Sequence, residues 1–137
     1  MTECEIVRLT IDVSFEGTIT VKLIESQTGN NDQSYVVDCN SDLYCSENQH
    51  QRLTTGGAYV EQLLCELEAA NVPVLPDKAM GCDGTSYELT LTRESSAVTY
   101  HWWCGAPKDY GPVVKFTNEL LRLARCEERV CIDDLHE

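Results

Sequence analysis

The 137-residue sequence lacks any apolar run of transmembrane length. Its polar start, MTECEIVRL, has neither the basic region nor the apolar region of a signal peptide. It also has little positive charge: ten Lys and Arg stand against 23 Asp and Glu, a formal net charge of −13. Such a chain repels phosphate backbones and anionic membranes, which argues against direct nucleic-acid or membrane binding and favours a basic protein partner. We expect a cytoplasmic protein, or a periplasmic or secreted one if Met1 replaces a removed leader.

Recognised catalytic motifs are also missing. The sequence has no GxSxG, no HExxH and no phosphate-cradling glycine loop. Its three histidines are His50, His101 and His136, and one of them could act as a base beside a carboxylate such as Asp38 or Asp83. Any acidic protein offers such pairings, so catalysis is the minor hypothesis and no cofactor is expected.

Cysteines are abundant, but no two of them form a CxxC motif, and the spacing of a structural zinc site is missing. We therefore expect no metal. Reduced thiols are favoured because no leader directs the chain to an oxidising compartment. If a disulfide forms, Cys82 with Cys104 is the leading candidate, since both lie at the open end of a predicted hairpin. Local alternatives are Cys39 with Cys45 and Cys126 with Cys131.

Hydrophobic periodicity predicts the secondary structure. Residues 5–39 alternate apolar and polar side chains in three segments, which predicts three strands, and residues 85–104 predict a hairpin with its turn near Ser95. Helical spacing appears at residues 57–71 and 112–125. The stretch between residues 40 and 55 is polar and predicts no regular element.

These elements predict an α+β fold built as a two-layer sandwich. An antiparallel sheet of about five strands would carry two helices on one face, in the order βββαββα, because strands that alternate cleanly have one buried and one open face. We expect residues 1–137 to form one domain, with residues 126–137 as an acidic tail that frays.

The HWWCG stretch, residues 101 to 105, looks reactive but fits a strand. Successive side chains of a strand point to opposite faces, so His101 and Cys104 would face apart, which is poor geometry for a nucleophile pair or for two metal ligands. Trp102 is then predicted to lie in the core. Trp103 would lie beside His101 on the open face, either as an anchor for a partner or under a loop of its own chain.

The C-terminal half also carries a family resemblance. The segments DGTSYELTL and TYHWWCGAPKDYGPVVKFTNELLRLA together resemble small bacterial proteins of uncharacterised or immunity-type character. The resemblance spans about residues 82–124 and implies a bacterial cytosolic protein without implying a reaction. Cys82 and Cys104 do not belong to the shared pattern.

Acidity, small size and the missing motifs predict a protein-binding module. The preferred hypothesis is an inhibitor or immunity-type protein that occludes a basic enzyme such as a nuclease or toxin, because opposite charge accelerates encounter and steers orientation. The alternative is a small-ligand-binding protein or a small hydrolase with a pocket between sheet and helices. Predicted partner-binding residues come from an acidic loop, the first helix and the HWWC strand: Asp38, Asp42, Glu47, Glu61, Glu66, Glu68, His101 and Trp103.

Overall fold

One antiparallel sheet and two helices make up the part of the chain that the computed structural model describes, which is residues 2–13, 17–27, 33–43, 49–72, 85–103, 106 and 108–125. The elements in chain order are β1 (Thr2–Val13), β2 (Gly17–Gln27), β3 (Gln33–Leu43), β4 (Gln49–Thr55), α1 (Gly57–Ala69), β5 (Thr85–Arg93), β6 (Ser96–Trp103) and α2 (Gly111–Leu123). A short 3-10 turn at Lys108–Tyr110 leads into α2. The α+β class and the antiparallel sheet are as predicted.

The predicted strand count was wrong. The sheet has six strands and the order is ββββαββα, because β4 occupies part of the stretch that was expected to be irregular. The sequence of β4, QHQRLTT, holds a single apolar side chain, Leu53. Gln51 lies on the side of the sheet that the helices cover, and its amide donates to the carbonyl of Ala124 at 3.0 Å. A polar side chain at an inward position hides the alternation that marks a strand.

The strands lie in the order β4-β3-β2-β1-β5-β6 and every neighbouring pair is antiparallel. The first four strands therefore form a meander, in which each strand pairs with the next in sequence. After α1 the chain returns to pair β5 with β1, and β6 completes a second hairpin. The turn of that hairpin is Glu94–Ser95, as predicted, and Glu94 takes a positive φ of 53°.

Inward positions of the strands were predicted correctly. Val7, Leu9 and Ile11 of β1 are buried, and their neighbours on β2, β3 and β5 continue the same buried face. Both helices contribute to this single core, α1 through Val60, Leu63 and Leu67 and α2 through Val113, Phe116 and Leu120, among others. The helix bounds agree with the prediction within two residues. No helix in the described ranges is long and apolar enough to cross a membrane.

The HWWC segment forms the end of β6, and its two tryptophans divide between the faces as predicted. Trp102 is 3% exposed, stacks on Tyr87 with 5.3 Å between ring centroids, and meets Tyr110 edge to face. Trp103, on the opposite face, is 39% exposed. Cys104 lies outside the described residues, as does the tail from residue 126.

Candidate functional site

The face of the sheet that the helices leave uncovered, called here the open face, carries most of the polar side chains of the strands. Residues that are paired across neighbouring antiparallel strands share a face, so the register lines them up in rows that cross the sheet. Three such rows can be followed across the sheet, two from β4 to β6 and one from β3 to β6, and they differ in charge.

The first row contains the basic residues of the open face. It runs through Arg52, Asp38, Lys22, Arg8, Thr90 and Thr99. Acidic side chains from the first residues of β1 meet its cations: Glu5 lies 2.9 Å from Arg8 and 3.8 Å from Lys22, and Glu3 lies 2.8 Å from Arg52. The pKa of the Arg8 guanidinium is raised by its hydrogen bonds to Glu5 and by the charge of that carboxylate. These positive charges are therefore largely neutralised within the chain.

The next two rows carry acids and histidines but no Lys or Arg. One row runs through His50, Asn40, Thr20, Thr10, Glu88 and His101, and the other through Asp42, Thr18, Asp12, Ser86 and Trp103. We call these two rows the acidic end of the open face. Its carboxylates are Asp12, Asp42 and Glu88, all exposed. The Thr18 hydroxyl donates to Asp12 at 3.4 Å, and threonines fill much of the space between the acids.

One ion pair spans two intervening strands of the open face. Arg52 on β4 and Glu3 on β1 are in contact although β3 and β2 lie between their strands. Neighbouring strands are about 4.8 Å apart, so a flat sheet would separate β1 from β4 by about 14 Å. Both side chains are long, and this pair therefore joins the start of β1 to β4 across the open face.

His50 and Asp38 form a hydrogen-bonded pair at the β4 side of the open face. His50 Nε2 lies 2.8 Å from Asp38 Oδ1, with His50 62% and Asp38 18% exposed at the side chain. This pairing is one of those that the sequence raised for a general base, since a carboxylate can orient an imidazole for proton transfer. Neither His50 nor His101 faces the helices, so neither lines a pocket between sheet and helices.

The structure does not bring the predicted partner-binding residues together in one surface. Asp38 and Asp42 lie on β3 rather than in a loop, which corrects that part of the prediction, and Glu47 lies outside the described residues. His101 and Trp103 share the open face with the two aspartates but lie at its opposite edge, on β6. Glu61, Glu66 and Glu68 lie on α1, in the layer behind the sheet.

Two of the α1 glutamates make ion pairs within the chain. Glu66 lies 3.7 Å from Lys115 of α2, and Glu68 lies 2.6 Å from Arg93 at the end of β5. Both glutamates are in the last turn of α1, where the helix dipole disfavours negative charge, and the two cations offset that effect. These carboxylates are already paired with cations of the same chain, which leaves the open face as the stronger candidate surface.

Sequence reasoning missed Asp12 and Glu88 as members of the site. Both stand at outward positions of strands that were predicted correctly, so their face was known from the alternation. Their proximity was not, because it depends on β5 pairing with β1 across a long sequence separation. In the observed register Asp12 pairs with Ser86 and Thr10 with Glu88, which places the two carboxylates diagonally across neighbouring strands.

No group of three or more His, Cys, Asp or Glu in the described ranges is arranged to hold a metal ion. Among the described cysteines, Cys4 and Cys65 are exposed free thiols, and Cys39 is buried on the core side of β3. Cys82, and with it the predicted Cys82–Cys104 disulfide, lies outside the described residues, as do Cys45, Cys126 and Cys131.

No protein-family model matches this sequence, and a comparison with curated proteins finds no significant match. The resemblance of residues 82–124 to immunity-type proteins therefore stays a prediction from its own motif.

Proposed function

We propose that this protein is an acidic binding module that occludes a basic partner protein through the acidic end of its open face. The observation that supports this proposal is the composition of the two rows there: Asp12, Asp42 and Glu88 with His50, His101 and Trp103, and no Lys or Arg. An enzyme that acts on nucleic acid, such as a nuclease or a toxin, has the basic surface that this arrangement complements.

The distribution of charge sets how such a partner would dock. The cations of the open face are gathered in one row and neutralised by Glu3 and Glu5, so the negative field is strongest over the acidic end. A surface field of one sign raises the encounter rate and aligns the incoming molecule. The partner therefore approaches the end of the sheet where β1 finishes and β2 begins.

Trp103 supplies the apolar contact that this surface otherwise lacks. It stands in the same row as Asp12 and Asp42, and more than a third of its side chain is exposed. Exposed aromatic rings beside charged residues are frequent hot spots of protein interfaces, whereas single exposed charges contribute less. Trp103→Ala should weaken binding by about tenfold or more, corresponding to the roughly 1.4 kcal/mol of a moderate hot spot.

A second candidate function, hydrolysis, depends on the His50–Asp38 pair. The 2.8 Å contact would orient His50 to take a proton from a water molecule at the surface. The exposure of His50 argues against this alternative, because catalytic bases work best where water is excluded. His50→Ala tests it: loss of a detected hydrolytic activity with the fold intact would support the hydrolase hypothesis over the binding module.

The test of the binding proposal uses two charge-matched triple variants. In the first, Asp12→Asn, Asp42→Asn and Glu88→Gln neutralise the acidic end. In the second, Glu61→Gln, Glu66→Gln and Glu68→Gln neutralise the same number of charges on α1. Proteins captured from the native host are identified, purified and measured by surface plasmon resonance against the wild type, Trp103→Ala and both triples.

We expect a basic partner whose association rate falls with added salt much more than its dissociation rate changes. The open-face triple should reduce the association rate by about tenfold at low salt, while the α1 triple, with the same net charge, should reduce it far less. If the α1 triple abolishes binding and the open-face triple leaves it intact, the proposed surface is wrong. If no captured protein binds in purified form, the binding function itself is wrong.

A further inference from the structure

β6 is the end strand of the sheet on the side opposite β4. It pairs with β5 from Ser96 to Trp103, and no other strand of the described ranges pairs with its outer side. In an antiparallel strand every second residue directs its N–H and C=O to one side and the others to the opposite side. The outer side of β6 therefore presents a row of backbone donors and acceptors to any strand laid alongside it.

The strand β6 itself, within the described residues, has none of the charges, prolines or bulges that usually prevent a strand from adding to a sheet. Its sequence, SAVTYHWW, contains no Lys, Arg, Asp, Glu or Pro, and its pairing with β5 has no bulge. Natural proteins protect exposed edges with such charges, prolines and bulges. The opposite edge, β4, has the charged Arg52, and two of its side chains are held by Glu3 and Ala124. The contrast marks β6 as the edge that is open to pairing.

The side chains that flank the β6 edge define the chemistry of a strand that would fit it. On the open face, a strand added next to β6 would place alternate side chains beside Thr99, His101 and Trp103, with Glu88 one strand further in. Of these residues Glu88 is the acidic one, and its carboxylate favours Lys or Arg on this face of the added strand. On the other face the same strand would lie beside Val98, which is 47% exposed, and Tyr100, where apolar side chains would be buried. The complementary strand thus alternates basic and apolar residues.

We infer that the basic partner adds an extended segment of alternating basic and apolar residues to the sheet, antiparallel or parallel to β6, as a seventh strand. Backbone hydrogen bonds to β6 hold the segment, Val98 is covered by its apolar side chains, and its basic side chains reach toward Glu88 and the acidic end. This inference rests on the proposed function, because it specifies the way in which the partner engages the same end of the molecule.

The direct experiment uses synthetic peptides with the ¹⁵N-labelled full-length protein. The probe is a terminally blocked eight-residue peptide of alternating Lys and Val; the controls are the same length with alternating Glu and Val, and the Lys–Val peptide with a central Pro. We expect the Lys–Val peptide to shift the amide resonances of β6 and to protect them from hydrogen exchange. The two controls should bind at least about tenfold more weakly, because one reverses the charge and the other removes a backbone donor.

Edge variants separate strand addition from general charge attraction. Val98→Lys and Ala97→Lys each place a positive charge on the β6 edge, and Thr54→Lys places the same charge on the β4 edge as a matched control. Circular dichroism confirms that each variant is folded. We expect both β6 variants to lower the affinity for the Lys–Val peptide and for the captured partner by about tenfold or more. Thr54→Lys should change either affinity by less than about twofold.

Several outcomes would overturn the inference. Equal effects of the β6 variants and Thr54→Lys would leave charge alone as the cause. Equal binding of the Lys–Val and Glu–Val peptides would remove the basic specificity. Slow exchange of every β6 amide in the monomer without peptide would show that the edge is already covered, and a dimer that Val98→Lys dissociates would show that a second copy occupies it. If the open-face triple variant loses partner binding while Val98→Lys and Ala97→Lys keep it, strand addition is wrong and the proposed function stands.

Discussion

Neighbouring residues in this chain have different environments because a strand turns successive side chains to opposite faces. Trp102 is part of the aromatic cluster with Tyr87 and Tyr110, and Trp103 stands in a row with Asp12. His101 faces the same side as Trp103 and pairs with Glu88 across β5 and β6. The apparent reactive cluster of the sequence therefore separates into one core residue and two surface residues.

Ser41 is a buried polar residue without compensation. It lies on the core side of β3, paired with Ile19, and within the described part of the chain its hydroxyl has no hydrogen-bond partner. A buried hydroxyl without a partner costs about 1–3 kcal/mol, so Ser41→Ala should raise the free energy of unfolding by about 1 kcal/mol. Urea denaturation followed by circular dichroism measures the change.

Thr117→Ala is the control variant, because the buried Thr117 hydroxyl donates to the Val113 carbonyl. Its removal should not raise the free energy of unfolding. A Ser41→Ala variant that is less stable than the wild type would refute this account.

The residue-level site was only partly predictable. Alternation assigns Asp38, His101 and Trp103 to a face, since the period of a strand is a local property of the sequence. The rows that unite His101 with Glu88 and Trp103 with Asp12 depend on register and strand order, which arise from contacts between segments far apart in the chain. The same limit explains why the α1 glutamates were placed in one surface with β3 residues that lie in another layer.

At the scale of elements, α1 is stabilised by packing and by contacts with α2 more than by its own ends. α1 starts after Gly56, which has no side chain to cap the helix, and has no basic residue in its last turn. Its outer surface is connected to α2 through Tyr59, whose hydroxyl donates to Glu119, while Arg122 donates to both Tyr59 and Glu119. This three-residue cluster joins the two helices at the surface.

The Glu119 cluster gives a pH-dependent contribution to stability. The pKa of Glu119 lies below its ordinary value despite partial burial. The largest cause is the hydrogen bond from Tyr59, and the hydrogen bond and positive charge of Arg122 lower the pKa further. A carboxyl whose pKa is lower in the folded state contributes stability above its unfolded pKa, and loses it as pH falls through the folded value. Glu119→Gln should therefore lower the free energy of unfolding by about 0.5 kcal/mol at pH 7, a small effect because the group is partly exposed, and by less near pH 2.5.

Urea denaturation of Glu119→Gln and of the wild type at both pH values measures this difference. Tyr59→Phe serves as the second variant, since it removes the first hydrogen bond and keeps the ring. Its pH dependence should resemble that of Glu119→Gln. A difference between Glu119→Gln and wild type that stays the same at pH 2.5 would show that the cluster acts through packing alone.

Elements were predictable wherever the inward positions are apolar. β1, β2, β3 and the second hairpin have such positions, and helical spacing was clear in both helices. β4 was missed because pairing with β3 and the contact of Gln51 with Ala124 position it in the sheet. Neither contact appears in the sequence as alternation. Tertiary context outweighs local propensity most readily in an edge strand.

At the scale of the whole molecule, the chain has a net charge of −13. The charged residues of the open face are unevenly distributed. The cations form one row, while the two rows beyond it hold acids and histidines. Self-repulsion among the carboxylates opposes the folded state, and this effect favours a partner that neutralises them. Binding and stability are therefore linked through the same residues.

Added salt should stabilise the protein because it screens that repulsion. We expect the free energy of unfolding in urea to rise by about 1 kcal/mol between 20 and 300 mM NaCl, over which the Debye length falls from about 20 to below about 6 Å. The open-face triple variant, which removes three negative charges, should be more stable than the wild type at low salt and should respond less to NaCl. Identical salt responses in the two proteins would show that the acidic end is not a site of repulsion.

The position of β1 between β2 and β5 also has a consequence for synthesis of the chain. Translation releases β1 to β4 and α1 as a complete meander before β5 exists, so one edge of the central strand has no neighbour during that interval. At about 5–20 residues per second, making the 38 residues from Gly56 to Arg93 takes roughly 2–8 s. For those seconds the nascent protein exposes Leu9 and Ile11 beside an unpaired backbone, a surface that recruits chaperones or other nascent chains. The second hairpin thus protects the N-terminal strand that was made first, and a ribosome stalled between α1 and β5 would carry the most aggregation-prone form of this protein.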